Sequence, residues 1–181
     1  LKLALPKAKR EAFTDLVENS FLPVTDGWHL EENRYSAQTS NRQQMMLMQP
    51  LPESFYIKTE IQMEDAFQAG VILQADQTMK EGYYIYLEPE RKRLVYRSWL
   101  RMSEEGGKTF PYDVELEAPV RIAGDGRYEL EIIAEGSAAT AYVNGETALS
   151  FRMYDYSRRN LGLFSFGKAE FKNIIMKKRS E

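Results

Sequence analysis

The chain has 181 residues, with 24 basic against 27 acidic side chains and a formal charge of −3, which is the length of one domain with a short appendage. That balance leaves no electrostatic footprint for nucleic acid or for an anionic membrane surface, so neither is an expected partner. Zero Cys excludes disulfides, thiol nucleophiles and cysteine–zinc sites, while 43% hydrophobic residues are enough to bury a substantial core.

The chain opens on Leu1 rather than Met and carries no signal-peptide pattern there, which leads to the expectation of a piece of a longer protein. Pro6, followed by Phe13, Leu16 and Val17 at helical spacing, predicts a short helix that breaks at Asn19-Ser20. Residues 1–27 are therefore expected to be a linker or short helix from a preceding domain, and residues 28–181 a separate folded domain.

From Trp28 onward, short segments of period two alternate with Gly, Pro, Asn and Asp. Phe55, Ile57, Thr59, Ile61 and Met63 alternate with Tyr56, Lys58, Glu60 and Gln62, one set toward a core and the other toward water. Residues 69–75 read as a short apolar strand, and 82–88 runs against 94–101 across the polar turn Pro89-Glu90-Arg91-Lys92. Tyr128, Leu130 and Ile132 alternate with Glu129, Glu131 and Ile133, and 138–143 leads through Asn144-Gly145, a type I′ turn signal, into 147–151. Strands over 162–166 and 168–176 complete the set, the last with Ala169, Phe171, Asn173 and Ile175 on one face. About a dozen antiparallel strands with no helix alternation predict an all-β fold, a two-sheet jelly-roll sandwich. The polar, glycine-bearing stretch 103–108 is the expected mobile loop.

The residues for catalysis are sparse. A single histidine, His29, excludes histidine metal cages and would have to serve any Ser-His-Asp triad from a strand end, where a surface role fits it better; no metal and no cofactor are expected. Glycoside hydrolysis needs two facing carboxylates. Glu60 and Glu64 come nearest to a same-strand set, but Gln62 interrupts it, and Glu129 with Glu131 reads as an acidic stripe on a solvated strand face.

Binding chemistry is richer. Tyr84, Tyr86 and Glu88 share one face of their strand, and Val95, Arg97, Trp99 and Arg101 share one face of the next. Should the two faces coincide, rings for sugar C–H faces stand beside charged planar groups for hydroxyls, so Tyr84, Tyr86, Glu88, Arg97, Trp99 and Arg101 are the candidate carbohydrate-binding set. The same residues fit ordinary cross-strand packing with Arg stacked over rings, and both readings stand at this point. Arg152, Tyr154, Asp155, Tyr156, Arg158 and Arg159 form a second polar-aromatic cluster, suited to a ligand cleft, a domain contact or a charged surface turn.

Residues 130–137 (LEIIAEGS), 140–146 (TAYVNGE) and 148–154 (ALSFRMY), with the closing pair 162–164 (GLF) and 169–174 (AEFKNI), resemble the C-terminal β-sandwich module of glycoside hydrolase family 32, the β-fructosidases. Residues 70–73 (GVIL) and 82–86 (GYYIY) are also similar to family 66 carbohydrate-binding modules, which bind fructan. The resemblance covers about residues 28–177 and implies a concanavalin A-like sandwich. The family's catalytic signatures, W-M-N-D-P-N-G, R-D-P and E-C, belong to a separate propeller and do not occur here. The resemblance therefore implies a domain of a bacterial glycoside hydrolase with no hydrolytic activity of its own. Its expected partners are the catalytic domain of the same parent chain and an oligo- or polysaccharide, fructan first. Two alternatives remain: a sandwich hydrolase of 3-keto-disaccharide type, in which a pair such as Glu60 and Glu88 converges, and a laminin-G-like protein-interaction domain.

Overall fold

The computed structural model describes residues 10–18, 20–39, 42–47, 50–79, 81–101, 111–154 and 160–179; within them, the side chains of 42–44, 46–47, 99–101 and 111–114 lie outside the described set. Among the described residues the period-two segments become fifteen strands. In chain order these are β1 (Phe13–Leu16), β2 (Phe21–Pro23), β3 (Trp28–Glu31), β4 (Arg34–Ala37), β5 (Arg42–Leu47), β6 (Ser54–Met63), β7 (Gln68–Ala75) and β8 (Gly82–Glu88). They continue as β9 (Arg93–Arg101), β10 (Pro111–Pro119), β11 (Arg127–Glu135), β12 (Ala138–Val143), β13 (Glu146–Arg152), β14 (Asn160–Phe166) and β15 (Ala169–Arg179).

All pairings are antiparallel. An eight-stranded sheet runs β13-β12-β11-β6-β15-β4-β3, with β1 also paired to β15, and a seven-stranded sheet runs β10-β9-β8-β7-β14-β5-β2. Their inner faces supply one core. Phe55, Ile57, Ile61, Leu130, Ile132 and Phe171 meet Val71, Leu73, Ile85, Leu94 and Leu163. Tyr83 and Tyr96 stack inside this core with ring centroids 6.0 Å apart, and Tyr96 stacks on Phe151 at 4.7 Å. Buried phenols need partners: Tyr96 Oη donates to the Arg152 carbonyl at 2.9 Å, and Tyr83 Oη accepts from the Tyr154 amide at 2.8 Å.

The turns follow their chemistry. Asn144 and Gly145 have φ of 51° and 77°, the pair of positive values that a type I′ turn requires. Asn144 Oδ1 also accepts from the Glu129 amide at 2.8 Å, tying the turn to β11.

Three expectations change. The helix over Phe13, Leu16 and Val17 is not formed. Arg10 and Glu11 are helical, but Phe13–Leu16 is β1 on the end of β15, and Phe21–Pro23 is β2 on β5. Phe13 is buried against Tyr56, Ile133 and Tyr142, a packing gain that outweighs a weak helical spacing. Phe13–Leu16 and Phe21–Pro23 of the expected linker are thus strands of the two sheets. In β15, Ala169, Phe171, Asn173 and Ile175 do not share a face: the register shifts between Lys172 and Ile175, with Asn173 at φ 53°. That bulge reverses the alternation, so the core side of β15 is Ala169, Phe171, Ile174 and Met176. Finally, Glu131 is not a solvated stripe. It is fully buried, with Arg10 Nη2 donating to both its oxygens at 2.8 and 2.7 Å and Tyr56 Oη donating at 2.6 Å. Glu129 instead pairs with Lys58 at 2.7 Å.

Candidate functional site

The β8–β9 hairpin is closed by a single 3₁₀ turn, Pro89–Arg91, and by Lys92 at φ 53°, whose amide donates to the Pro89 carbonyl at 3.0 Å. This tight connection sets Glu88 opposite Arg93, Tyr86 opposite Val95 and Tyr84 opposite Arg97. Directly paired residues point to the same side of a sheet. Tyr83, Ile85, Leu87, Leu94 and Tyr96 take the core side, so Tyr84, Tyr86, Glu88, Arg93, Val95 and Arg97 all stand on the outward face of the seven-stranded sheet. The two faces left open by the sequence do coincide. Neighbouring strands extend the rows: Gly162 and Ile72 lead to Tyr84, Phe164 and Gly70 lead to Tyr86, and Glu115 and Glu117 of β10 lie opposite Arg97 and Val95.

The tyrosine rings are packed rather than open. Tyr84 and Tyr86 are each 4% exposed and meet the edge of Phe164 at 5.5 and 5.7 Å between centroids. Gly70 permits this approach, because a Cβ there would lie 2.0 Å from the Ile85 carbonyl oxygen and 2.6 Å from Tyr86 Cα. Above the rings the β7–β8 loop folds back. Asp76 accepts from the Thr78 hydroxyl and from the Glu81 amide, and the loop it shapes buries Met79 completely in a cluster with Ile72, Tyr84, Val95 and Phe164. Tyr84 Oη donates to the Met79 carbonyl at 2.8 Å.

Beside the rings lies an ion network. Arg93 Nε donates to Glu88 Oε2 at 2.6 Å, its Nη1 reaches Glu115 at 3.3 Å and also pairs with Glu117, and Gln68 Nε2 donates to Glu88 Oε1 at 2.6 Å. Glu88 is almost fully buried, so its hydrogen bond to Arg93 holds that guanidinium charged more firmly than usual. Burial, then the charges of Glu88 and Glu115, push the Tyr86 phenol up, while Arg97 and Arg93 pull it back. Three carboxylates therefore share a face with two guanidinium groups and two phenols.

Of the six expected contact residues, Tyr84, Tyr86, Glu88 and Arg97 come together here. Trp99 and Arg101 follow Arg97 at alternate positions of β9, Trp99 opposite Gly82 and Arg101 opposite Pro111, and their side chains lie outside the described set. Arg93, Gln68 and Met79 were missed; starting the strand one residue earlier would have set Arg93 against Glu88. The pair Glu60 and Glu88 does not converge. Glu60 sits on the outward side of β6 in the eight-stranded sheet, where Asn173 Nδ2 donates to it at 2.8 Å, and Glu88 faces outward from the opposite sheet, so the whole core lies between them. His29 is exposed and meets Glu31 at 3.2 Å. In the second cluster Arg152 and Tyr154 are exposed, and 155–159 as well as the loop 103–108 lie outside the described residues. A groove of about 460 Å³ at the sandwich edge is lined by Pro119, Arg121, Asn144, Glu146 and Thr147 among others.

Residues 29–178 match the family model described as glycosyl hydrolases family 32 C terminal. The chain belongs to that family. Among solved structures, the family 32 C-terminal domain described here is similar to the carbohydrate binding module CBM66 from Bacillus subtilis, at a TM-score of 0.71 and 15% identity, covering 87% of this chain and 95% of that one. It is also similar to a beta-fructofuranosidase of Aspergillus kawachii, at a TM-score of 0.61 and 11% identity over 88% of this chain and 27% of that one. A fructosyltransferase of A. japonicus gives 0.57 and 15% over 90% and 27%. The chain thus spans about a quarter of the length of the two enzymes. No curated protein sequence matches it. At these identities the structural likeness establishes the fold, a two-sheet antiparallel sandwich.

Proposed function

We propose that this domain is a non-catalytic accessory module that binds fructan for a catalytic domain of the same parent chain. The reading is carried by the outward face of the seven-stranded sheet, where Glu88, Arg93 and Gln68 hold one another in fixed geometry beside tyrosine rings and Arg97 stands on the same face. Planar carboxylate, amide and guanidinium groups are suited to bonding vicinal hydroxyls, and fixing them in advance lowers the ordering cost of binding. Family membership supports the accessory role, and the names of the similar proteins, a carbohydrate binding module and two fructose-handling enzymes, support fructan as the ligand.

In this reading Tyr84 and Tyr86 form the rigid floor, Glu88 and Arg97 offer polar contacts, and Trp99 and Arg101, at the alternate positions of β9 that follow Arg97, are proposed as further contacts. No facing carboxylate pair across a sugar is required, and the separation of Glu60 from Glu88 by the core agrees with that. Isothermal titration with levan, inulin, sucrose and a non-fructan control tests it. Saturable heat with a fructan, weakened in Trp99→Ala, is the expected result; silence toward every fructan overturns the proposal and leaves a purely structural accessory domain.

A further inference from the structure

Of the eight described phenylalanines, six are no more than 5% exposed. The other two, Phe67 at 55% and Phe166 at 40%, touch each other, with ring centroids 5.9 Å apart at 57°. Leaving two adjacent rings in water forgoes burial that the fold achieves at every other described phenylalanine, and exposed apolar surface placed beside ordered polar groups marks a contact site.

Their position says which contact. Phe67 donates its amide to the Phe166 carbonyl at 2.9 Å. Phe166 lies two residues beyond Phe164, which packs on Tyr84 and Tyr86, so Phe166 stands on the same outward face. Across the strands Phe166 is paired with Gln68, Gln68 is bonded to Glu88, and Glu88 is paired with Arg93. At about 4.8 Å per strand this row runs roughly 14 Å from ring to guanidinium, long enough for a short oligosaccharide rather than a single ring.

We infer that Phe67 and Phe166 are the stacking platform of a saccharide site whose chain lies across β14, β7, β8 and β9, with Gln68 and Arg93, both held by Glu88, fixing its hydroxyls. This rests on the fructan reading above, and it moves the stacking contact from Tyr84 and Tyr86, which are covered, to rings that are open. The arrangement favours a saccharide over an apolar protein surface. A sugar presents C–H faces to the rings and hydroxyls to the ions, whereas an apolar surface would desolvate Glu115 and Glu117, whose side chains are 44% and 60% exposed, with nothing to replace their water.

Calorimetric titration of the 181-residue chain with levan and inulin, with cello-oligosaccharide as control, reads the proposal. The double variant Phe67→Ala/Phe166→Ala should keep its unfolding midpoint and lose about tenfold or more in affinity, while Leu16→Ala, an exposed residue of the other sheet, binds as wild type. Phe166→Trp, which preserves a stacking face, should retain or tighten binding; a loss as large as that of the alanine variant overturns the platform. If wild type binds and the double variant binds equally well, the platform is wrong and the fructan reading stands. If wild type gives no heat with either fructan, the fructan reading fails and the platform with it.

Discussion

Both outward faces of this sandwich carry a carboxylate, an arginine and a tyrosine, and they use them differently. On the eight-stranded sheet Glu131 is fully buried between Tyr56 and Arg10, and Arg10 comes from the N-terminal segment, 121 residues away in sequence. On the seven-stranded sheet Glu88 takes its arginine from five residues away, across one tight turn, and Arg93 is left over to hold Glu115 and Glu117 as well. The first arrangement exists only when the segment bearing Arg10 lies over the sheet; the second forms with the hairpin. A distant partner makes a strap, and a local partner makes a standing surface.

Removing the strap should have the largest effect. Among the described residues, Arg10→Ala leaves the buried Glu131 carboxylate with the Tyr56 hydroxyl as its side-chain donor, and breaking a buried pair from one side typically costs 3–5 kcal/mol. Because Arg10 is itself half-exposed, water can enter, and a loss of about 3 kcal/mol in urea unfolding is expected at the low end of that range. A change under 1 kcal/mol would mean that the N-terminal segment contributes nothing to the face it covers. Next comes the cap of the other face. Met79→Ala empties a fully buried site over Tyr84 and Phe164, and since the loop can settle into part of the space, a cost of about 2.5 kcal/mol is expected. Arg93→Ala should cost less, about 2 kcal/mol, because Glu88 keeps its bond from Gln68 and Glu115 and Glu117 are free to turn to solvent. If Arg93→Ala proved more damaging than Arg10→Ala, the contrast between strap and standing surface would be reversed.

The same contrast explains what could be read from the chain alone. The hairpin at Pro89–Arg91 and the Asn144-Gly145 turn are local, so both were legible, as were the strand faces beside them. β1 was not, because four residues ending in an exposed Leu16 carry little periodicity and owe their state to Tyr56 and β15. The bulge at Asn173 needs φ 53° in a residue that is not glycine, and an alternating pattern passes over it without a mark. Glu131 had the same signature as Glu129 because burial of an acid depends on where its cation comes from. The packed state of Tyr84 and Tyr86 depends on Met79, which sits in the connection between β7 and β8, outside any periodic segment. What failed for β1 and for Glu131 was a contact between segments far apart in sequence.

The smallest expected effect is a pH dependence at Tyr56, on the strapped face. Burial, then the hydrogen bond to Glu131 and that carboxylate's charge, push the Tyr56 phenol well above its ordinary value of 10. The neutral phenol is thus the folded form, while the unfolded chain ionises near pH 10, so this stabilisation is complete below pH 10 and is lost as pH rises through and above it. At pH 8 wild type should exceed Tyr56→Phe by the value of one hydrogen bond to a charged acceptor, about 2 kcal/mol. At pH 11 the unfolded wild type has gained the option of releasing a proton that the variant never had, and the gap should narrow by about 1.4 kcal/mol. Arginine stays charged throughout that range, so Arg10 and Glu131 remain paired and the narrowing belongs to the phenol. A gap in urea midpoints that stayed constant from pH 8 to pH 11 would place Tyr56 in water, and with it the carboxylate that the strap is there to cover.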